Sequence, residues 1–425
     1  MQKNEIMLVN FTVKNFRSFK HERTFTMEAS SIKEHRESVR VVNKHKVLPL
    51  AVIYGANSSG KSNLIQALGC MTQIVMNSVR LNENDTIPFA PFALDEVSET
   101  QPTFFEIQFI KDNSLFRYGF EYNPKEIVSE WLYEKKFGEK EFNLFLRSHS
   151  YISISEARFK EGVGKTELTN ANRLFVSLVA QLKGAVSKRV MDWFASCNVL
   201  SGLDSEAFEG FTLSMFAENR NGVNQALAFF KKLQLGFNSY MVKRSVFAND
   251  EVEKAPKEIK EKIREGKIVD TSTIHNIYDE NGSVIKEKAF DELDMESEGT
   301  KKVIEMSGPI FDTLNEGRVL VVDELDAKLH PLLTRNIVLL FMDPEINKYN
   351  AQLVFATHDT NLLNLKLIRR DQIWFAEKDQ CDSTDIYSLV EFKDDNGDKV
   401  RNDRNIERDY ISGRYGAIPF IGRMD

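Results

Sequence analysis

Apolar residues along this chain recur with two different periods, and four runs follow neither. Those runs, at 50–54, 319–322, 353–356 and 372–376 and apolar except for Gln372, predict strands buried on both faces, as in a covered parallel sheet. Residues 7–28 and 103–158 read instead as antiparallel strands. Within them, 103–110 and 114–122 flank Lys111-Asp112-Asn113, a turn-forming trio that predicts a hairpin, and strand-like stretches follow at 127–137 and 142–147. Helical spacing marks Leu64, Ile65, Leu68, Met71 and Val75, then the segments 172–197, 224–235 and 302–314. Asn281-Gly282 lies between two strand-like arms and predicts a tight turn. Residues 250–267 form a charge run, expected as an exposed helix or a linker. The reading is an α/β head in two parts, 1–165 and 271–425. It combines a parallel core with an antiparallel β subdomain, and 166–270 forms a mainly helical insertion or short arm.

Candidate chemistry gathers where the buried runs end. After 50–54 comes Gly55-Ala56-Asn57-Ser58-Ser59-Gly60-Lys61-Ser62-Asn63, with two glycines separated by four residues and followed by Lys-Ser. This is a phosphate-binding P-loop: glycines allow close backbone approach, backbone N–H groups surround phosphates, and the next helix points its dipole at them. Lys61 is expected on the β/γ-phosphates and Ser62 on Mg²⁺. The run at 319–322 ends in Asp323-Glu324, where Asp323 is expected near Mg²⁺ and Glu324 to polarise an attacking water. The run at 353–356 ends in Thr357-His358-Asp359, with His358 able to reach a γ-phosphate. Upstream, Glu296-Ser297-Glu298-Gly299-Thr300-Lys301 opens a helix-like stretch and predicts a second anion-binding terminus. A guanine-reading Asn-Lys-x-Asp is absent, so ATP is expected. A small-molecule kinase would not explain this order of motifs.

As a set, these motifs resemble the head of ABC-type ATPases of the SMC/RecF/OLD branch. They are most similar to the stand-alone prokaryotic AAA/ABC-like ATPases of phage-defence and abortive-infection operons, among them the ATPase subunit of PARIS systems. The resemblance also rests on Asn15-Phe16-Arg17-Ser18-Phe19, Asp323-Glu324-Leu325-Asp326-x-x-Leu329-His330-Pro331, Arg369–Phe375 and Gly413–Pro419. It implies that two heads sandwich ATP, in a homodimer or a higher homo-oligomer. Ser297 and Gly299 would then act on the nucleotide of a partner chain, Asp326 would sit at the seam, His358 would sense the γ-phosphate in its own chain, and Arg17 would flank the base. The Glu-Ser-Glu-Gly-Thr-Lys signature departs from the Leu-Ser-Gly-Gly-Gln of transporters and argues against a transporter subunit. A glutamine loop is not placed; Gln101, Gln108 and the segment 88–92 are its candidates.

Composition narrows the partners. No heptad pattern is long enough for a chromosome-spanning arm, and the residues after His358 lack the carboxylate cluster of a two-metal nuclease. Lys393–Asp398 reads as a turn. Any nuclease or toxin effector is therefore expected as a separate chain. The net charge of −7 does not ask for nucleic acid, although the local clusters 183/188/189, 243/244 and 401/404/408 leave contact possible. Apolar runs too short for a membrane span, a start without a signal-peptide core and three unpaired cysteines predict a cytoplasmic protein. Two functions stay open: a defence ATPase controlling an effector, and a RecF-like repair ATPase that clamps DNA.

Overall fold

A computed structural model describes residues 5–203, 205–244, 269–393, 397 and 399–418. The charge run at 250–267 and most of the Lys393–Asp398 turn lie outside the described residues. The chain begins with the hairpin of β1 (Ile6–Lys14) and β2 (Arg23–Thr26), then a ribbon of β3 (Arg40–Val42) and β4 (His45–Val47). Next come β5 (Leu50–Tyr54), α1 (Lys61–Asn77) and the short α2 (Glu96–Thr100). Five consecutive strands follow: β6 (Thr103–Lys111), β7 (Ser114–Tyr122), β8 (Ile127–Lys136), β9 (Phe142–Ser148) and β10 (Tyr151–Ile154). Helices α3 (Phe175–Gln181) and α4 (Ala185–Phe194) lead to β11 (Cys197–Ser201), α5 (Ser205–Ala217) and α6 (Val223–Leu233). A small sheet of β12 (Ser239–Arg244), β13 (Val269–Tyr278) and β14 (Val284–Asp291) precedes α7 (Glu292–Met295) and α8 (Glu298–Glu316). The last elements are β15 (Val319–Asp323), α9 (Pro331–Met342), β16 (Gln352–Ala356), β17 (Ile373–Lys378), β18 (Thr384–Ser388) and α10 (Ile406–Ile411).

Six strands make the central sheet in the order β11-β15-β16-β5-β17-β18, parallel throughout except for the β17–β18 pair. Its strands read as unbroken apolar runs because each face serves a different core. Ala51 and Ile53 of β5 join one cluster with Val321, Ala356 and Trp374, whereas Leu50, Val52 and Tyr54 join the other with Val322, Phe355 and Phe375. The first cluster is shared with a seven-stranded antiparallel sheet, β10-β9-β8-β7-β6-β1-β2. Gln352, fully buried at the start of β16, ties the two sheets together. Its amide oxygen accepts from Leu8 N at 2.6 Å, and its nitrogen donates to Leu8 O and Leu48 O, both at 3.0 Å.

Among the described residues, 166–270 hold four α-helices, but β11 within that stretch belongs to the core sheet rather than to an insertion. It pairs with β15 from Cys197↔Val319 to Ser201↔Asp323 and forms one edge of the core sheet. Five residues directly after a helix are too few to break the helical period by pattern alone, so the sequence reading ran the helix through to 197.

Helix α8 carries a proline at position 309, which leaves the Glu305 carbonyl without its helical donor. Thr212 of α5 supplies the replacement. Its hydroxyl donates to Glu305 O and accepts from Gly308 N at 3.0 Å. A Cβ on Gly308 would come within 2.4 Å of that hydroxyl, so Gly308, Pro309 and Thr212 act as one crossing point. Thr212→Val should lower stability by about 1–3 kcal/mol, the cost of an unpaired buried polar group. Thermal unfolding followed by circular dichroism measures it, and an unchanged melting temperature would contradict the pairing.

Candidate functional site

Ligands of open α/β sheets bind beyond the carboxyl ends of the strands. Here β5, β15, β16 and β11 run parallel and release Gly55, Glu324, Thr357 and Gly202 at that one edge. The P-loop turns sharply there, with φ of 65° at Ser58 and 105° at Gly60. Asn57 and Ser58 are exposed at its crest, while Gly55, Ser59 and Gly60 are buried. No side chain caps α1, so its first N–H groups face outward into the loop. Lys61 is 6% exposed, and its ammonium donates to Gly55 O at 2.8 Å and Ala56 O at 2.9 Å. Burial pulls its pKa below the ordinary lysine value, while Asp323, Glu324 and Asp326 draw it back up.

The loop is fixed from behind by side chains that lie far away in sequence. The Thr384 hydroxyl donates to Ser59 O at 2.9 Å and lies 2.7 Å from Ser18 Oγ, which also accepts from Asn63 Nδ2 at 2.7 Å. A Cβ on Gly60 would come within 2.1 Å of the Thr384 hydroxyl, so only glycine fits at that contact.

Asp323 ends β15 and Glu324 follows with φ 54°, a left-handed turn that lifts it out of the strand. One oxygen each of Asp323 and Asp326, and the Ser59 hydroxyl, are buried without a hydrogen-bond partner. Such orphaned oxygens beside a P-loop lysine suit a divalent cation with a phosphate chain. Ser62 and Asp323 could hold that cation. The loop after β11 supports the acidic turn from the side. Gly202 N donates to Asp323 O at 2.6 Å, and a Cβ on Gly202 would meet Glu324 O at 2.1 Å. The sequence reading missed Gly202, Thr384 and Ser18. Each acts through a contact more than a hundred residues distant, which local pattern does not carry.

His358 is exposed just beyond β16, and its backbone N–H donates to Asp326 Oδ2 at 3.3 Å. Its desolvating surroundings, then Lys61, lower its pKa against the pull of Asp326, Glu324 and Asp323, so the imidazole is neutral at pH 7. These five side chains therefore share one electrostatic neighbourhood.

Ser297 and Gly299 lie elsewhere. Ser297 caps α8 and accepts from Thr300 N at 3.2 Å, while Gly299 sits 3.3 Å (from an ideal Cβ) from Lys328 O. Glu298 pairs with Lys328 at 3.0 Å, which joins this turn to the loop that carries Asp326. Among the described contacts, neither residue touches the P-loop of its own chain. Arg17, at φ 50°, lines a cavity of about 850 Å³ along α1 with Gln66, Cys70, Ala90, Ser201 and Asp323. Of the glutamine-loop candidates, Gln101 accepts from Asn15 through its carbonyl, and Gln108 lies on β6, bonded to Asn10. Only Pro88–Ala90 of the third candidate lines the cavity that reaches Asp323.

Residues 50–364 match the family model described as "AAA domain, putative AbiEii toxin, Type IV TA system". The chain belongs to this family. It is a P-loop ATPase domain, and the match runs from β5 past His358. No curated protein matches the chain. Among solved structures it is similar, at 12% identity and a TM-score of 0.41, to the SMC head bound to the C-winged helix domain of ScpA, covering 90% of this chain and 97% of that one. The SMC head domain from Thermotoga maritima matches at 12% identity and a TM-score of 0.40, covering 90% and 98%. A head with an extended coiled coil, bound to the C-terminal domain of ScpA from Pyrococcus furiosus, matches at 10% and 0.40, covering 90% and 96%. Among the described residues no helix is long and apolar enough to cross a membrane.

Lys61→Ala should weaken binding of a fluorescent ATP analogue by roughly tenfold or more, the loss of a charge-assisted contact. Equal affinity in an equilibrium titration would remove Lys61 from the site.

Proposed function

We propose that this AAA domain binds ATP with Mg²⁺, hydrolyses it, and uses the cycle to join two heads that control a separate effector in anti-phage defence. The observation that carries the reading is a division within one chain. Lys61, Asp323, Glu324, Asp326 and His358 converge at the strand ends, whereas Ser297 and Gly299 open α8 and pack beside Lys328. A complete site then needs the Ser297 turn of a second copy. Exposed Leu203, Leu293, Met295 and Leu332, at 70, 69, 47 and 59%, each lie a few residues from these motifs and would be covered by that copy.

In this reading the P-loop N–H groups and Lys61 bind and orient the phosphates. Ser62 and Asp323 would hold Mg²⁺, which when bound would supply charge neutralisation at the transferring group. Glu324, turned out of β15 and braced by Gly202, accepts the proton of the attacking water. His358, neutral at pH 7, keeps one ring N–H to donate toward the γ-phosphate. Arg17 flanks the base from the wall of the cavity along α1. The family description, with its terms "putative AbiEii toxin" and "Type IV TA system", supports the defence role.

Glu324→Gln should keep ATP affinity and slow hydrolysis by roughly a hundredfold or more. Wild-type turnover would remove Glu324 from the mechanism. The same variant, purified with ATP and Mg²⁺ from cells expressing its native gene neighbourhood, should retain a stoichiometric nuclease- or toxin-like protein by mass spectrometry. Recovery of DNA without a protein partner would favour a DNA clamp instead.

A further inference from the structure

The small sheet β12-β13-β14 ends in an open edge. Strand β14 pairs with β13 on one side, and among the described residues no strand pairs with its other side. Seven of its eight residues are exposed. At the hairpin tip, Tyr278, Val284 and Ile285 are exposed at 58, 56 and 62%. An edge this long and open is a template for strand pairing unless its side chains forbid it.

Those side chains forbid one occupant and favour another. The register places Lys286 and Lys288 opposite Ile277 and His275, on one face of the sheet. Glu287 faces the other way, where Asn238 Nδ2 donates to it at 2.7 Å. Two copies pairing antiparallel about a two-fold axis bring same-face residues opposite each other. In the central registers Lys286 would then meet Lys288, or each lysine its own copy, and like charges directly opposite are destabilising. An incoming strand with carboxylates at those positions meets the reverse condition.

The edge is also wired to the signature turn. Strand β14 runs directly into α7, Glu296 and Ser297. Across the sheet, His275 Nε2 lies 2.9 Å from Glu296 Oε1, and Tyr240 of β12 donates to Glu292 at 2.9 Å in a buried bond. Lys301 Nζ closes the turn on Leu293 O at 2.8 Å. A strand added to β14 would stiffen the sheet that positions Ser297.

We infer that the β14 edge receives an extended acidic segment of a partner protein, which adds a fourth strand and thereby sets the position of the signature turn. The docking stands on the edge and its lysines alone; its regulatory consequence rests on the role proposed for Ser297.

The test uses the full chain and two labelled peptides, (Asp-Val)₄ and (Lys-Val)₄, in fluorescence anisotropy. The acidic peptide should bind about tenfold more tightly than the basic one, and Lys286→Glu/Lys288→Glu should reverse the order. Bound acidic peptide should slow amide hydrogen exchange in β14. Equal binding of both peptides, no binding of either, or binding without β14 protection would overturn the inference. ATP turnover, measured with and without the peptide, reports separately. Protection of β14 in a chain that hydrolyses no ATP keeps the docking and refutes the ATPase reading.

Discussion

Burying the Lys61 ammonium under the P-loop is the constraint on which the rest of this structure depends. Removing a charge from water costs several kcal/mol unless its surroundings replace the lost hydration. Two loop carbonyls do so directly, and Asp323, Glu324 and Asp326 do so from the end of β15, one strand removed. Those carbonyls point inward only while the loop holds its left-handed turns, and the loop holds them because Thr384 and Ser18 grip it from outside. The carboxylates face Lys61 only because β15 lies in register with β11 and β16. A single buried cation thus links the ends of the core sheet to the β1–β2 hairpin.

The same economy explains the second half of the molecule. Helix α8 crosses α5 at Gly308 and Pro309, where Thr212 takes the place of a lost helical bond. That crossing fixes the helix whose first turn carries Ser297 and Gly299. The turn is held to the Asp326 loop by Glu298 and Lys328 and to the small sheet by His275 and Glu296. Under the proposed reading, the site divides into a half that faces the chain's own nucleotide and a half that faces a partner's.

Much of this was legible in the sequence, for identifiable reasons. The P-loop and the Asp323-Glu324 turn are local: a buried run followed at once by the chemical groups. The four apolar runs and the 103–122 hairpin were readable because each carries its own period and turn. β11 was not, since five residues after a helix look like its continuation. Gly202, Thr384 and Thr212 were invisible because each owes its role to a backbone group brought near only by folding. Arg17 was readable as a position but not as a conformation; its φ of 50° and its place along α1 belong to the folded hairpin.

The central claim is that one working site takes residues from two chains. The most direct measurement mixes a Lys61→Ala chain with a Ser297→Arg chain and follows ATP turnover, with mass spectrometry confirming that mixed dimers form. Each variant alone should be inactive, and the mixture should regain one working site per mixed dimer. A mixture that forms mixed dimers yet stays inactive would contradict the account and place catalysis within a single chain.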